Sequence, residues 1–282
     1  MRGLHRHQNH RYKTLVRNLL ILSLLPIACE PEPDEINSVV LTGGAFVQIN
    51  NRQVAGAPLD STSLAVLNLD VFSLEIRAAG ERVPSGVTES PTLFMVSDDQ
   101  GDNEIGIYRP AADSNRIFVF IGEVPVGSYI VPDCDWHDPE VFTQIVLTYD
   151  GNVARVYGNG QLLDTNPIGI NLDIGLSHAL IGADWDAPND PSTLSNFWYG
   201  AIDEVRLWTK ILPGSEMEFR YRNPDKLTRN YSPTGLNALI GLWRFNEEGG
   251  DGDQVDDDSG KGNHAILNAN GGTISFTSDG TS

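Results

Sequence analysis

Phe142-Thr143-Gln144-Ile145-Val146-Leu147-Thr148-Tyr149-Asp150-Gly151-Asn152-Val153-Ala154-Arg155-Val156-Tyr157-Gly158-Asn159-Gly160-Gln161-Leu162-Leu163 reads as a chain folded back and forth on itself. Ile145, Leu147 and Tyr149 recur at every second position, as the buried face of a strand does. Asp150-Gly151 and Asn159-Gly160 flank the run ending in Val156-Tyr157. Both dipeptides tolerate the positive φ that tight hairpins demand. Three antiparallel neighbours are expected here.

The same texture extends in both directions. Strands are expected at Ala45 to Asn50, Phe72 to Ala78, Thr92 to Val96, Glu104 to Tyr108, Arg116 to Ile121, Phe142 to Tyr149, Ala154 to Tyr157, His178 to Ile181, Ala201 to Trp208 and Leu239 to Phe245. Phe72, Leu74 and Ile76 alternate, as do Val205 and Leu207 with Ile202 nearby. No long stretch follows a helical period. One short surface helix is expected over Glu216 to Tyr221, with Ser215 and Glu218 spaced as a capping box. Many short strands and frequent turns predict an all-β, two-sheet antiparallel sandwich, and an apolar content of 40% suffices for its core.

Residues 1–28 carry Arg2, Arg6, Arg11, Lys13 and Arg17 with no acid, then an apolar run from Leu19 to Ile27 and the small Ala28. That is the layout of a secretory signal peptide, and its apolar core is too short to span a bilayer. Beyond it, 14 basic residues face 38 acidic ones. Such a field repels phosphate backbones and excludes nucleic acid as a partner, while attracting cations. Residues 29–38 combine proline with acid and no apolar period, the composition of a flexible tether. The sandwich is expected to occupy residues 39–282. Cys29 and Cys134 are the only cysteines. With no histidine base placed beside it by any motif, Cys134 is expected to be buried or inert.

Two acidic clusters, Asp102-Asn103-Glu104 and Asp184-Trp185-Asp186, stand out as candidate ligands for a hard cation. Ca²⁺ takes about six to eight oxygens from carboxylates, amides and main-chain carbonyls. Asp251 to Asp258 does not make an EF-hand, because Gly260 and Leu267 stand where ligands are required. Asp203 is open between a ligand of a separate structural metal, a strand cap and a partner of Arg206.

The hairpins of 142–163, the run Gly200-Ala201-Ile202-Asp203-Glu204-Val205-Arg206-Leu207-Trp208, and the segments Gly241 to Glu247 and Asp258 to Asn263 resemble laminin-G-like, concanavalin A-like domains in their order. The resemblance covers roughly residues 43–270. A narrower one is to the pentraxins. It implies a Ca²⁺ cofactor held by Asp102 and Asn103 from a hairpin tip and by Asp184, the Trp185 carbonyl and Asp186 from a later loop. Asn196 would be a peripheral ligand, and Thr193 stands where an acid would serve a second ion. The intrachain disulfide of pentraxins has no counterpart here. The run Leu25-Pro26-Ile27-Ala28-Cys29 resembles a bacterial lipobox, which implies lipidation of Cys29 and anchorage to a membrane, facing the periplasm or the cell surface.

No catalytic machinery is legible. A glycosidase needs two carboxylates facing across a groove, whereas Asp203 and Glu204 are adjacent and expected on opposite faces, and Glu75 stands alone on its strand. No nucleophile elbow, zinc-ligating His pair or phosphate loop is present. The expectation is a non-catalytic, calcium-dependent binding module for a glycan or another anionic surface ligand, with Trp185, Phe197 and Tyr199 packing on that ligand. The alternative is a calcium-stiffened surface protein that binds another protein.

Overall fold

The computed structural model describes residues 37–49, 70–98, 103–122, 124–170, 172, 178–187, 190–229, 233–247 and 249–278. The signal segment, Cys29 and the hairpin tip with Asp102 lie outside the described residues. Strands are numbered in chain order. One antiparallel sheet runs β10 (Gln161–Pro167), β9 (Val153–Gly158), β8 (Thr143–Tyr149), β3 (Phe72–Gly80), β14 (Gly200–Trp208), β1 (Asn37–Thr42) and β18 (Thr273–Ser278), with β15 (Leu239–Trp243) also on β14. The other runs β16 (Gln254–Val255), β17 (Ala265–Asn268), β2 (Phe46–Ile49), β11 (His178–Ile181), β4 (Thr92–Ser97), β5 (Asn103–Tyr108), β6 (Arg116–Ile121) and β7 (Val124–Ile130). A two-stranded ribbon joins β12 (Asp184–Trp185) to β13 (Leu194–Ser195).

The predicted hairpins form because their turn residues accept the backbone required. Asn159 and Gly160 have φ of +48° and +76°, and Gly151 has +87°. β8, β9 and β10 then pair in succession. Inward side chains of both sheets make the main core, among them Leu74, Ile76, Ile145, Leu147, Val205 and Leu207 from the first sheet and Phe94, Val96, Ile105 and Ile181 from the second.

Each sheet is also covered on its outer face, and this decides where a site can lie. On the first, the helix α1 (Gly214–Arg222) and the segment after it bury Val146, Trp208, Leu239 and Leu242 beneath Leu212, Met217 and Leu227. On the second, the chain after β11 lays Trp185 over Phe46, Met95 and Leu180. Sequence alternation shows only the inner faces, so both covers are additions to the expected plan.

The helix forms where expected, but its start differs. Pro213 is the N-cap and no side-chain cap bond is made. Ser215 lies inside the first turn, and Glu218 reaches forward to Arg222 at 3.0 Å instead of back to an N-terminal amide. Proline is well suited to a helix entrance because its missing N–H would have no partner there. Strand β10 is the third neighbour that the Asn159-Gly160 turn implies; β7 and β18 were not predicted, β7 because it is partly exposed and carries little alternation in hydrophobicity, whereas β18 does alternate, with Ile274 and Phe276 turned to the core. Strand β1 begins at Asn37, two residues inside the stretch read as tether.

Candidate metal and ligand site

The loop after β11 leaves its sheet at Gly182, whose φ is +84°. A Cβ there would lie 2.6 Å from Leu41 Cδ1, so glycine is required both for the turn and for the space. The turn is fixed by Gly182 N–H on the Leu93 carbonyl at 3.1 Å and by Trp198 N–H on the Gly182 carbonyl at 2.8 Å. The β12–β13 ribbon follows, pairing Asp184 with Ser195 and Trp185 with Leu194. Thr193 closes the loop beyond, its hydroxyl accepting from Ala187 N–H at 3.0 Å and lying 2.8 Å from the Asp190 carbonyl. Its oxygen is therefore engaged within the loop.

Asp184 is the chemical centre of this loop. It is 3% exposed, and its Oδ1 accepts from the Trp185 N–H at 2.8 Å. Oδ2 accepts from Asn196 Nδ2 at 3.1 Å, and the Tyr108 hydroxyl hydrogen-bonds the same carboxylate. Burial pushes its pKa up, and the nearby Asp186 charge adds to the rise against the hydrogen bonds from Asn196, Trp185 and Tyr108. No cation is among the groups that act on it most strongly. A desolvated carboxylate next to a second one is unfavourable unless positive charge joins it.

Asn196 is built to hold Asp184. Its φ is +51°, and its carbonyl accepts from Thr92 N–H at 2.7 Å. Its side-chain oxygen accepts from Ser90 N–H at 3.2 Å. That bond sets the amide orientation, so Asn196 shows Asp184 its NH₂ group and turns its oxygen away. Its place in the site is as a donor that positions the carboxylate, rather than as the oxygen ligand expected.

Tyr108 was not foreseen. Its ring lies across Gly106, where a Cβ would meet Cε2 at 2.3 Å, and it packs edge-on against Phe120 at 5.9 Å. The signal was available in the sequence: a glycine two residues before a tyrosine leaves a flat strip of one strand face for the ring. Asn103 begins β5, paired with Ser97. It stands three residues from Gly106, roughly 10 Å along the strand. Asp186 is exposed at the loop surface.

The aromatic expectations divide. Trp185 is 2% exposed, with its ring in the outer cluster and Nε1–H on the Asp190 carbonyl at 3.1 Å. Its ring is a wall of the fold, and the expected role in stacking on a ligand is corrected. Phe197 is half-buried against the same cluster, and Tyr199 is half-buried with its carbonyl accepting from Glu81 N–H at 2.8 Å.

Arg109 anchors the loop from below and was also missed, since nothing in its neighbourhood signals it. The side chain is fully buried. It donates to the carbonyls of Trp136 at 2.6 Å, Glu81 at 2.5 Å and Tyr199 at 3.3 Å, with Trp198 4.7 Å beneath the guanidinium. Burial lowers its pKa to about 10. Three separate loops are joined by this one group. Cys134 lies in the same region, and burial pushes its thiol up to about 11. Because the thiolate is the reactive form, native protein at pH 8 should react with iodoacetamide far more slowly than urea-unfolded protein, as mass spectrometry would follow.

The second concentration of charge lies on the other sheet. Glu75 pairs with Arg220 at 2.5 Å and Arg206 at 3.4 Å, and accepts from Gln144 at 2.6 Å. Arg206 also binds Glu204 at 2.6 Å and the Pro224 carbonyl. A cavity of about 240 Å³ adjoins this cluster. Two expectations change here. A β-bulge between Ile202 and Glu204 lets both acids face the outer side, Asp203 to Arg77 and Glu204 to Arg206. Asp203 thus pairs with Arg77 while its charge also acts on Arg206, and Glu75, the one acid of its strand, shares Arg206 with Glu204 of the neighbouring strand. Burial raises the Glu75 pKa, but Arg220 and Arg206 with Gln144 outweigh it and hold the carboxyl below its usual range. A glycosidase acid needs the opposite shift. The cluster ties α1 to the sheet.

Among the described residues, no three His, Cys, Asp or Glu side chains converge as a metal cage. Asp184 and Asp186 nonetheless fit a hard cation by type, since both offer carboxylate oxygen and burial beside Asp186 disfavours the charged form of Asp184. Further oxygens would come from the Trp185 carbonyl, from Asn103 and from Asp102. When bound, Ca²⁺ would supply positive charge beside Asp184 and open coordination positions for ligand oxygens.

Residues 82–217 match the family model of the concanavalin A-like lectin/glucanases superfamily. No curated protein matches the chain. Among solved structures, a candidate carbohydrate-binding protein of Bacteroides ovatus is similar, with a TM-score of 0.55, 14% identity and 86% of this chain covered. The chain spans 60% of that protein's length. A heptameric SAP-like pentraxin of Limulus polyphemus is similar at a TM-score of 0.52 and 12% identity, over 83% of this chain and 95% of the pentraxin. At these identities the likeness is one of fold.

Proposed function

We propose that this concanavalin A-like sandwich is a non-catalytic carbohydrate-binding module that works outside the cytoplasm and uses Ca²⁺ at the Asp184 loop. The observation that carries the reading is the buried Asp184 carboxylate, positioned by Asn196 and Tyr108 and raised in pKa beside Asp186. The candidate carbohydrate-binding protein and the pentraxin with similar folds support it. In this reading the ion joins the 102–103 tip to the 184–186 loop, ligand hydroxyls complete its shell, and Phe197 and Tyr199 supply apolar contact. In the same reading, lipidation of Cys29 behind the signal-like segment would hold the module at a membrane. The second reading, a calcium-stiffened surface protein that binds another protein, shares the same ion and differs in the partner.

Calcium at millimolar concentration is expected to raise the melting temperature, since extracellular sites bind at roughly 10⁻⁴ to 10⁻³ M and ten such dissociation constants of ion add about 1.4 kcal/mol. Asp184→Asn and Asp102→Ala should each abolish that shift in a thermal melt with calcium against chelator. Asp251→Ala, on the exposed turn where Asp251 caps Ala269 N–H, should leave it intact. A shift that survives Asp184→Asn would sink the calcium assignment. A glycan array in calcium and in chelator separates the two readings: calcium-dependent sugar hits support the first, and a calcium shift without sugar hits supports the second.

Without metal, the fall in stability toward neutral pH that Asp184 contributes should be missing from Asp184→Asn, whose NH₂ group set among the donors Trp185 N–H and Asn196 Nδ2 costs stability independently of pH. A raised carboxyl pKa means that the folded state prefers the proton, so stability falls as pH rises from the unfolded pKa through the folded one. Asparagine removes that penalty. By the same linkage, calcium affinity should begin to fall on acidification at a higher pH than an ordinary carboxylate would set.

A further inference from the structure

Two buried donors on the outer side of the helix-bearing sheet have no acceptor among the described residues. They are the indole Nε1–H of Trp208 and the Nη2 of Arg220, and each residue is 1% exposed. Both residues line one cavity of about 250 Å³, together with Lys210, Leu212, Thr228 and Leu236. Arg220 uses its other donors on the Leu227 carbonyl at 2.8 Å and on Glu75 at 2.5 Å. The cavity is apart from the Asp184 loop, which covers the opposite sheet.

The surroundings define what could fill it. An indole N–H and a guanidinium can only donate, so an occupant must bring acceptor oxygen. Lys210 Nζ lies 4.9 Å from the centre of the Trp208 ring and the Arg220 guanidinium lies 5.0 Å from it, so two cations flank the indole. Glu216, also at the wall, is engaged by Arg229 N–H at 3.0 Å. The volume exceeds that of a single water, which takes about 30 Å³ in the liquid. Leu212 and Leu236 give part of the wall an apolar surface suited to the face of a small ring, beside the polar Thr228.

We propose that this cavity is a second binding site, which takes a small carboxylate-bearing ligand of uronate size. The carboxylate accepts from Trp208 Nε1–H and Arg220 Nη2, and Lys210 contributes charge at the entrance. The site does not depend on calcium.

Trp208 gives a direct readout. The five tryptophans give five indole resonances, and the one lost in Trp208→Phe is the reporter. Titration with D-glucuronate should move that resonance saturably, while neutral D-glucose should not. Lys210→Gln, at a half-exposed position, should fold normally and weaken glucuronate binding. Trp208→Phe should weaken it about tenfold or more when followed by calorimetry, as expected for loss of a hydrogen bond to a charged group. Asp184→Asn should bind glucuronate like the parent, which separates this site from the loop. A Trp208 resonance that glucuronate leaves in place up to its solubility limit would show that water alone fills the cavity, and would overturn the proposal. Equal movement by glucose would overturn the carboxylate class, and undiminished binding in Trp208→Phe would overturn the assigned contact.

Discussion

Glu75→Ala is expected to destabilise the protein by about 3–5 kcal/mol, the usual consequence of removing one partner from a buried ion cluster. Arg206 and Arg220 are almost wholly inaccessible to water, and both lean on that carboxylate. Arg206 keeps Glu204 as a partner, but Arg220 is left with the Leu227 carbonyl. Because Arg220 belongs to α1, the loss should appear as early release of the helix, seen by hydrogen exchange at 214–222 before the strands open. Urea denaturation of the variant measures the total. The sign with pH is fixed by the lowered pKa of Glu75. A depressed carboxyl contributes stability above its unfolded pKa, and that contribution is lost as pH falls through the folded value. Glu75→Gln should flatten this part of the acid limb, and an acid limb identical to the parent's would refute the role given to the charge.

Arg109→Ala should be nearly as damaging, at about 3 kcal/mol or more, because it takes the guanidinium from the Trp136 and Glu81 carbonyls and empties the space over Trp198. The carbonyls of Trp136, Glu81 and Tyr199 come from three segments; Glu81 N–H and the Tyr199 carbonyl join two of them directly, and Arg109 ties both to the Trp136 segment. The effect should reach the candidate site. Tyr199 lies three residues beyond Asn196, so a loosened Tyr199 releases the amide that positions Asp184. The expected outcome is a lower urea midpoint together with a smaller calcium-induced thermal shift. Arg109→Lys, which can serve fewer carbonyls with one compact head group, should fall between. A variant with unchanged midpoint would show that the guanidinium is incidental.

These two residues also mark the boundary of what could be read in advance. Ile145, Leu147 and Tyr149 declared an inner face because a sandwich interior is uniformly apolar, and a period of two is visible without knowing the partner strand. Asn159-Gly160 declared its turn because few other pairs adopt that backbone. Glu75 and Arg206 are equally buried, yet in sequence they look like solvent-facing positions, since an ion pair hides its partner far along the chain. The outer cover over them depends on where α1 docks, which no local pattern encodes. The bulge at Asp203 likewise depends on register with Arg77, and a rule of strict alternation misplaces it.

At the candidate site the division is similar. Acid side chains at 184 and 186 were legible as residue types suited to calcium, because oxygen donors announce themselves. Their geometry was not. Asn196 looks like one more oxygen donor until Ser90 claims its carbonyl group, and Trp185 looks like a ligand platform until the turn at Gly182 folds it onto Met95 and Leu180. Polar and aromatic residues name a chemistry, and the turn decides which of them faces solvent.

The position of β1 has a mechanical consequence. It lies between β14 and β18, with Asn37 opposite Ser278 and Val39 opposite both Ile202 and Phe276. A pull on the chain just ahead of Asn37, directed along the strand, loads ladders on both flanks in shear, so several hydrogen bonds must yield together instead of unzipping one at a time. A module tugged from that end by flow or by a moving surface would keep its fold under loads that would peel away a strand paired on one side.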